Sequence, residues 1–157
     1  MPGPNNTRNE RLLERAREAS LKAYAPYSGI RVGATALAAS GGTYTGCNVE
    51  NASSGLTVCA ERAAIQNAVS AGEREIVAVA VFSPDIKSIT PCGACRQVMA
   101  EFATRAPPGL LIIVEGKKGT ETIPLRRLLP RAFSTRSIQL PAAGCRLPGR
   151  PPQRSSH

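Results

Sequence analysis

Between positions 9 and 24 the apolar residues Leu12, Leu13, Ala16, Ala19 and Ala23 recur at helical spacing, which predicts an amphipathic helix. Asn9 is a candidate cap, and Pro26 blocks continuation. The period then shortens. Residues 31–39 and 43–49 read as two strands, with Gly41-Gly42 as a hairpin-type joint. A second helix is expected from about 59 to 71, stopped by Gly72. Residues 75–82 (EIVAVAVF) are apolar after the first, as in a strand covered on both faces. Residues 83–90 form a loop, and a third helix is expected from about 93 to 103, ahead of Pro107-Pro108. Residues 110–115 (LLIIVE) read as a buried strand, 116–119 as a turn and 120–123 as a short strand. Pro124 opens a last helix, shortened or kinked at Pro130.

The resulting order, α-β-β-α-β-α-β-β-α, predicts one α/β domain built on a mixed sheet of about five strands with helices packed on it. A length of 157 residues and an apolar fraction of 42% suit a single globular domain. No apolar run approaches the roughly 18 residues of a membrane span, and the polar first ten residues lack the apolar stretch of a secretory leader. A soluble cytoplasmic protein is expected, with no membrane partner. The net charge of +9 alters this picture less than its size suggests. Seven of the 20 basic residues fall at or after Arg126, where there is no acid, and the remaining 13 face 11 acidic residues. The body is close to neutral and the tail is basic. Three segments are expected: a flexible N-terminus over 1–8, a folded domain over 9–135, and a basic, disordered tail over 136–157.

Candidate chemistry lies in Cys59-Ala60-Glu61 and in Pro91-Cys92-Gly93-Ala94-Cys95, each opening a predicted helix. Helix N-termini favour thiolate over thiol. Three thiolates leave the fourth tetrahedral position of a zinc ion open for water, the arrangement of a catalytic site. Their formal charge with Zn²⁺ is −1, and Arg62 and Arg96 are the candidate compensating cations. Glu61 can stand beside the metal without ligating it and move protons. Spacing alone leaves other readings open: a redox pair, ordinary buried thiols, or a closed structural zinc site with Cys47 as fourth ligand. Cys145 and His157, the sole histidine, are remoter candidates.

The strings CAERAAIQNAVSAG and PCGACRQVMAEF, with PYSGIRVGATAL, GCNVENAS and LLPRAF, together resemble the small homotetrameric cytidine deaminases over about residues 10–135. The resemblance implies a three-layer α-β-α sandwich and one Zn²⁺ per chain held by Cys59, Cys92 and Cys95. It implies a zinc-activated water attacking C4 of the pyrimidine, with Glu61 as the catalytic proton carrier. It further implies that Arg62 offsets the thiolate charge, that Asn48 and Glu50 bind the sugar hydroxyls, and that the backbone at Ala60 contacts the base. Phe133 corresponds to an aromatic that reaches a neighbouring subunit's pocket in a homotetramer with shared sites. The expected reaction is deamination of cytidine and 2'-deoxycytidine in pyrimidine salvage. Two positions depart from the family pattern. Ile30 stands where a pocket Phe is usual, and Ser54 where many members have Tyr.

The alternatives are a deaminase of a modified nucleoside such as blasticidin S, a non-catalytic zinc module, and a nucleic-acid-binding protein. The near-neutral body, the 4% aromatic content and Cys59-Ala60-Glu61 in place of His-x-Glu argue against the last. No specific nucleic-acid partner is expected.

Overall fold

The computed structural model describes residues 4–117 and 119–134. Helix α1 (Pro4–Ser20) precedes strands β1 (Gly33–Ala38) and β2 (Thr43–Cys47). A short 3-10 helix (Ser54–Leu56) leads into α2 (Ala60–Ser70), β3 (Ile76–Phe82) and α3 (Gly93–Phe102). Strands β4 (Leu111–Gly116) and β5 (Gly119–Pro124) and the one-turn helix α4 (Leu125–Leu128) complete it. The predicted order of elements holds.

The five strands lie in the order β2-β1-β3-β4-β5. Only β3 and β4 are parallel; the other pairs are antiparallel. Strand alternation divides the core in two. Leu37, Ala78, Ala80, Phe82 and Ile113 face α1 through Leu12, Leu13 and Ala16. Ala34, Ala36, Val79, Val81, Ile112 and Val114 face the opposite way, packed with Ala60, Ala64, Ile65 and Ala68 of α2 and Cys95 and Met99 of α3. The molecule is therefore a three-layer α-β-α sandwich on a mixed sheet.

Both ends of α1 depart from expectation, since the helix stops at Ser20 rather than 24. It starts at Pro4 rather than at Asn9, and proline suits a first helical turn, where its missing N–H has no partner to lose. Asn9 does not cap; it is buried, and its Nδ2 donates to Thr122 Oγ1 on β5 at 3.1 Å. Helix α4 closes after four residues, short of Pro130, as expected. The expected tail over 136–157, with Cys145 and His157, lies outside the described residues.

Gly46 decides how closely α2 approaches the sheet. A Cβ there would lie 2.4 Å from Ala64 N and 2.7 Å from Ala60 O, both backbone atoms that cannot move aside alone. Gly46→Ala is expected to destabilise the fold by about 1–3 kcal/mol through overpacking. At Gly55 an added Cβ meets nothing within 4 Å, so Gly55→Ala should stay within about 0.5 kcal/mol of the parent. Urea unfolding of the two variants checks the contrast.

Candidate metal centre and active site

The local sequence brings two helix beginnings to one place. After β2, Val49 bridges Val58 by paired backbone hydrogen bonds of 2.9 and 3.0 Å, which sets the chain's entry into α2. Cys59 is the N-cap of α2, and Cys92 is the N-cap of α3. Both are extended, but only the Cys92 side chain caps its helix; that of Cys59 makes no cap hydrogen bond. The Cys92 sulfur accepts from Cys95 N at 3.4 Å.

The three sulfurs of Cys59, Cys92 and Cys95 lie within 4.8 Å of one another. Cys59 to Cys92 is 4.0 Å and Cys92 to Cys95 is 3.2 Å. Three sulfurs at Zn–S distances near 2.3 Å in tetrahedral geometry would stand about 3.8 Å apart. The trio fits such an ion. The Glu61 carboxylate does not join this cluster, nor does any other acid, His or Cys among the described residues. Cys47 is not the fourth ligand of a closed site; its Sγ meets Lys22 O at 3.3 Å.

The ionisation of the trio is uneven. Hydrogen bonding from Cys95 pulls the Cys59 thiol down to about 5, helped by Arg62 and Cys92 and opposed by burial. Cys95 moves upward, because it is the donor to that thiolate and because it is buried. Without a cation between them the sulfurs cannot all be thiolates, since like charges at this separation suppress one another. A divalent soft cation removes the conflict.

Glu61, in the first turn of α2, is 4% exposed. Burial raises its pKa most, the negative Cys59 adds to this, and its own backbone N–H, Cys95 and Arg62 act the other way. The net direction is upward, toward the protonated form. Arg62 donates to Thr57 O at 2.6 Å and reaches the Cys59 sulfur at 3.9 Å. Its burial lowers its pKa, but the hydrogen bond to Cys59 and the charges of the three sulfurs more than offset this. The other candidate cation is used elsewhere: Arg96 donates to Pro91 O at 2.7 Å and Leu128 O at 3.1 Å, tying α3 to α4.

Ala60 is fully buried beside the trio. Asn48 is 8% exposed, whereas Val49 points outward, so 48 and 50 share the inward side. The Asn48 side chain accepts from Val32 N at 2.7 Å and donates to Ile30 O at 2.8 Å. Each of its polar atoms keeps one further hydrogen-bonding position. The Glu50 carboxylate takes the Ser28 hydroxyl and the amides of Tyr27 and Ser28. The Ser28 side chain first, then these amides, hold it below the usual carboxylate range. Phe133 is 62% exposed and lies outside the core. Its backbone is fastened to α3 by Gln97, which donates to Phe133 O at 2.8 Å and accepts from Phe133 N at 3.2 Å. The residues that hold this site in shape, Thr57, Gln97 and the Tyr27-Ser28 amides, were not singled out from sequence, because their role lies in contacts distant along the chain.

Residues 6–107 match the family model described as the cytidine and deoxycytidylate deaminase zinc-binding region. The chain is 42% identical over 133 residues to the cytidine deaminase of Sporosarcina psychrophila, covering 85% of this chain and 96% of that one. It is 42% identical over 128 residues to that of Halalkalibacterium halodurans, covering 81% and 95%. A crystal structure of cytidine deaminase from Burkholderia pseudomallei superposes with a TM-score of 0.70 at 43% identity, covering 79% of this chain and 98% of that one.

Purified protein should contain about one zinc per chain, as expected for a single three-sulfur site. Cys92→Ala should lose most of it; full retention by metal analysis would remove Cys92 from the ligand set.

Proposed function

Because the chain belongs to the cytidine and deoxycytidylate deaminase family, we propose that it hydrolyses cytidine and 2'-deoxycytidine to uridine and 2'-deoxyuridine with release of ammonia, within pyrimidine salvage. The observation that carries this reading is a buried carboxylate beside three clustered sulfurs that have no fourth protein ligand among the described residues. Zinc is the cofactor, and when bound it supplies a water activated for attack near neutral pH.

The chain's own residues divide the remaining work. Cys59, Cys92 and Cys95 hold the metal, and Arg62 offsets their charge. Glu61 takes the proton that water sheds as its oxygen bonds to C4, and delivers it to N3 of the base. It then takes the remaining proton of the new C4 hydroxyl and gives it to the amino group as the C4–N bond breaks, so that ammonia leaves and C4 keeps a carbonyl. Burial of Glu61 supports this role, since a carboxyl with a raised pKa exchanges protons readily in both directions. Asn48 and Glu50 bind the sugar hydroxyls. Their support is the inward side that they share and the ionised state of Glu50. The backbone at Ala60 contacts the base, and Ile30 packs on its ring.

The assembly in this reading is a homotetramer in which Phe133 enters a neighbour's pocket. The exposed rings of Phe133, Tyr24 and Tyr27 support it. We place the protein in the cytoplasm, where Cys47, Cys59, Cys92 and Cys95, all unpaired, remain reduced. No helix among the described residues is long and apolar enough to cross a membrane.

A second reading comes from Ile30 and Ser54. Stacking on an aromatic is worth about 1–3 kcal/mol per base where measured in nucleic-acid complexes. A pocket without those rings suits a modified cytosine nucleoside such as blasticidin S more than the usual family pocket does. The intact Asn48-Val49-Glu50-Asn51 segment keeps the ribosyl substrates first. A panel of cytidine, deoxycytidine, cytosine and blasticidin S, followed by ultraviolet absorbance and ammonia release, ranks the two readings. Glu61→Gln is expected to keep its zinc while lowering kcat by about 10²–10⁴-fold, the usual contribution of general acid–base catalysis. Turnover at the parent rate would remove Glu61 from the proton path.

A further inference from the structure

The tripeptide Ile30-Arg31-Val32 is held from two sides. On one side Asn48 takes Ile30 O and Val32 N through its side chain, and its own N–H donates to Val32 O at 3.1 Å. On the other side stands Asp85. Its Oδ2 accepts from Arg31 N at 2.8 Å and Nε at 3.3 Å, and its Oδ1 from Nη2 at 3.2 Å. Asp85 is itself fixed. Ser83, buried at the end of β3, accepts from the N–H groups of Asp85 and Ile86, each at 3.2 Å. The carboxylate thus links the tripeptide to the loop that runs on to Pro91 and Cys92.

We propose that Arg31 and Asp85 are positioning residues for the nucleoside, a charged brace that sets where Ile30 and Asn48 stand. The proposal rests on the deaminase reading of the site. The side chains of Arg31 and Asp85 are 45% and 29% exposed. Exposed ion pairs contribute little to global stability, so the consequence of this one is local. It bears on a segment that packs on the base with an isoleucine rather than a ring, where a small displacement costs contact. Water and salt reach the pair, so the brace weakens as ionic strength rises. Cytidine is uncharged at neutral pH, and screening cannot act on the substrate itself. Salt dependence of its KM therefore reports on the protein.

The test uses the full chain with zinc bound. Asp85→Ala should raise KM for cytidine about fivefold, the scale of a partly exposed ion pair, with kcat, zinc content and Tm unchanged. KM of the parent should rise between about 0.05 and 0.5 M NaCl, while that of Asp85→Ala stays flat. Asp85→Asn, which keeps an acceptor for Arg31 N, should fall between the two in KM and also lose the salt response. Amide exchange over residues 28–32 should quicken in Asp85→Ala whether or not substrate is present. An unchanged KM, or unchanged exchange over 28–32, overturns the brace. So does a joint fall in kcat, zinc and Tm, which would mark a general loss of structure. Should the parent not turn over cytidine, the deaminase reading fails first, and the exchange measurement still decides whether Asp85 fixes the segment.

Discussion

Three sulfurs crowd within 4.8 Å of one another at the starts of two helices, and they can all be thiolates only with a cation among them. The hydrogen bond from Cys95, with Arg62 and Cys92, lowers the cost of the first negative charge on Cys59, while Cys95 itself is pushed the other way. Much of the surrounding structure serves this arrangement. Gly46 lets α2 lie against β2, the alanine face of α2 packs on the sheet, and the start of α3 follows from a loop leaving the end of β3. The Arg62 guanidinium, 3.9 Å from the Cys59 sulfur, stands where it would offset the negative charge that three thiolates and one divalent ion would leave.

That charge arrangement also explains why Glu61 can be spared from ligation. A fourth anionic ligand would add charge to a site that is already negative, and it would close the coordination position that water needs. Burial beside the negative Cys59 instead raises the Glu61 pKa. Chemistry and placement thus arise from the same helix turn: Cys59 at the cap, Ala60 against the sheet, Glu61 inward and Arg62 back across the sulfur.

The neighbouring segments have little regular structure, and hydrogen bonds to backbone give them their shape. Asn48 and Glu50 each brace the residues 27–32. Gln97 fastens Phe133 after α4 has ended.

The sequence by itself determined the order and type of the elements, because the unbroken apolar run in 75–82 and the helical spacing in 9–24 are set by which faces of the chain must be dry. It narrowed the site chemistry to Cys59, Glu61, Cys92 and Cys95 at predicted helix starts, where spacing alone left redox, structural and catalytic readings open and the family resemblance favoured the last. Only the tertiary structure decided between rival partners for these residues. It turned Cys47 away from the metal, assigned Arg62 rather than Arg96 to the sulfurs, drew Asn9 into the core to meet Thr122, and left the Phe133 ring exposed. It alone joined Arg31 to Asp85, 54 positions apart. Local pattern fixes which groups can ionise or bury themselves. Which of them meet is settled by strand pairing and helix packing across the sheet, and that depends on contacts no short stretch of chain contains.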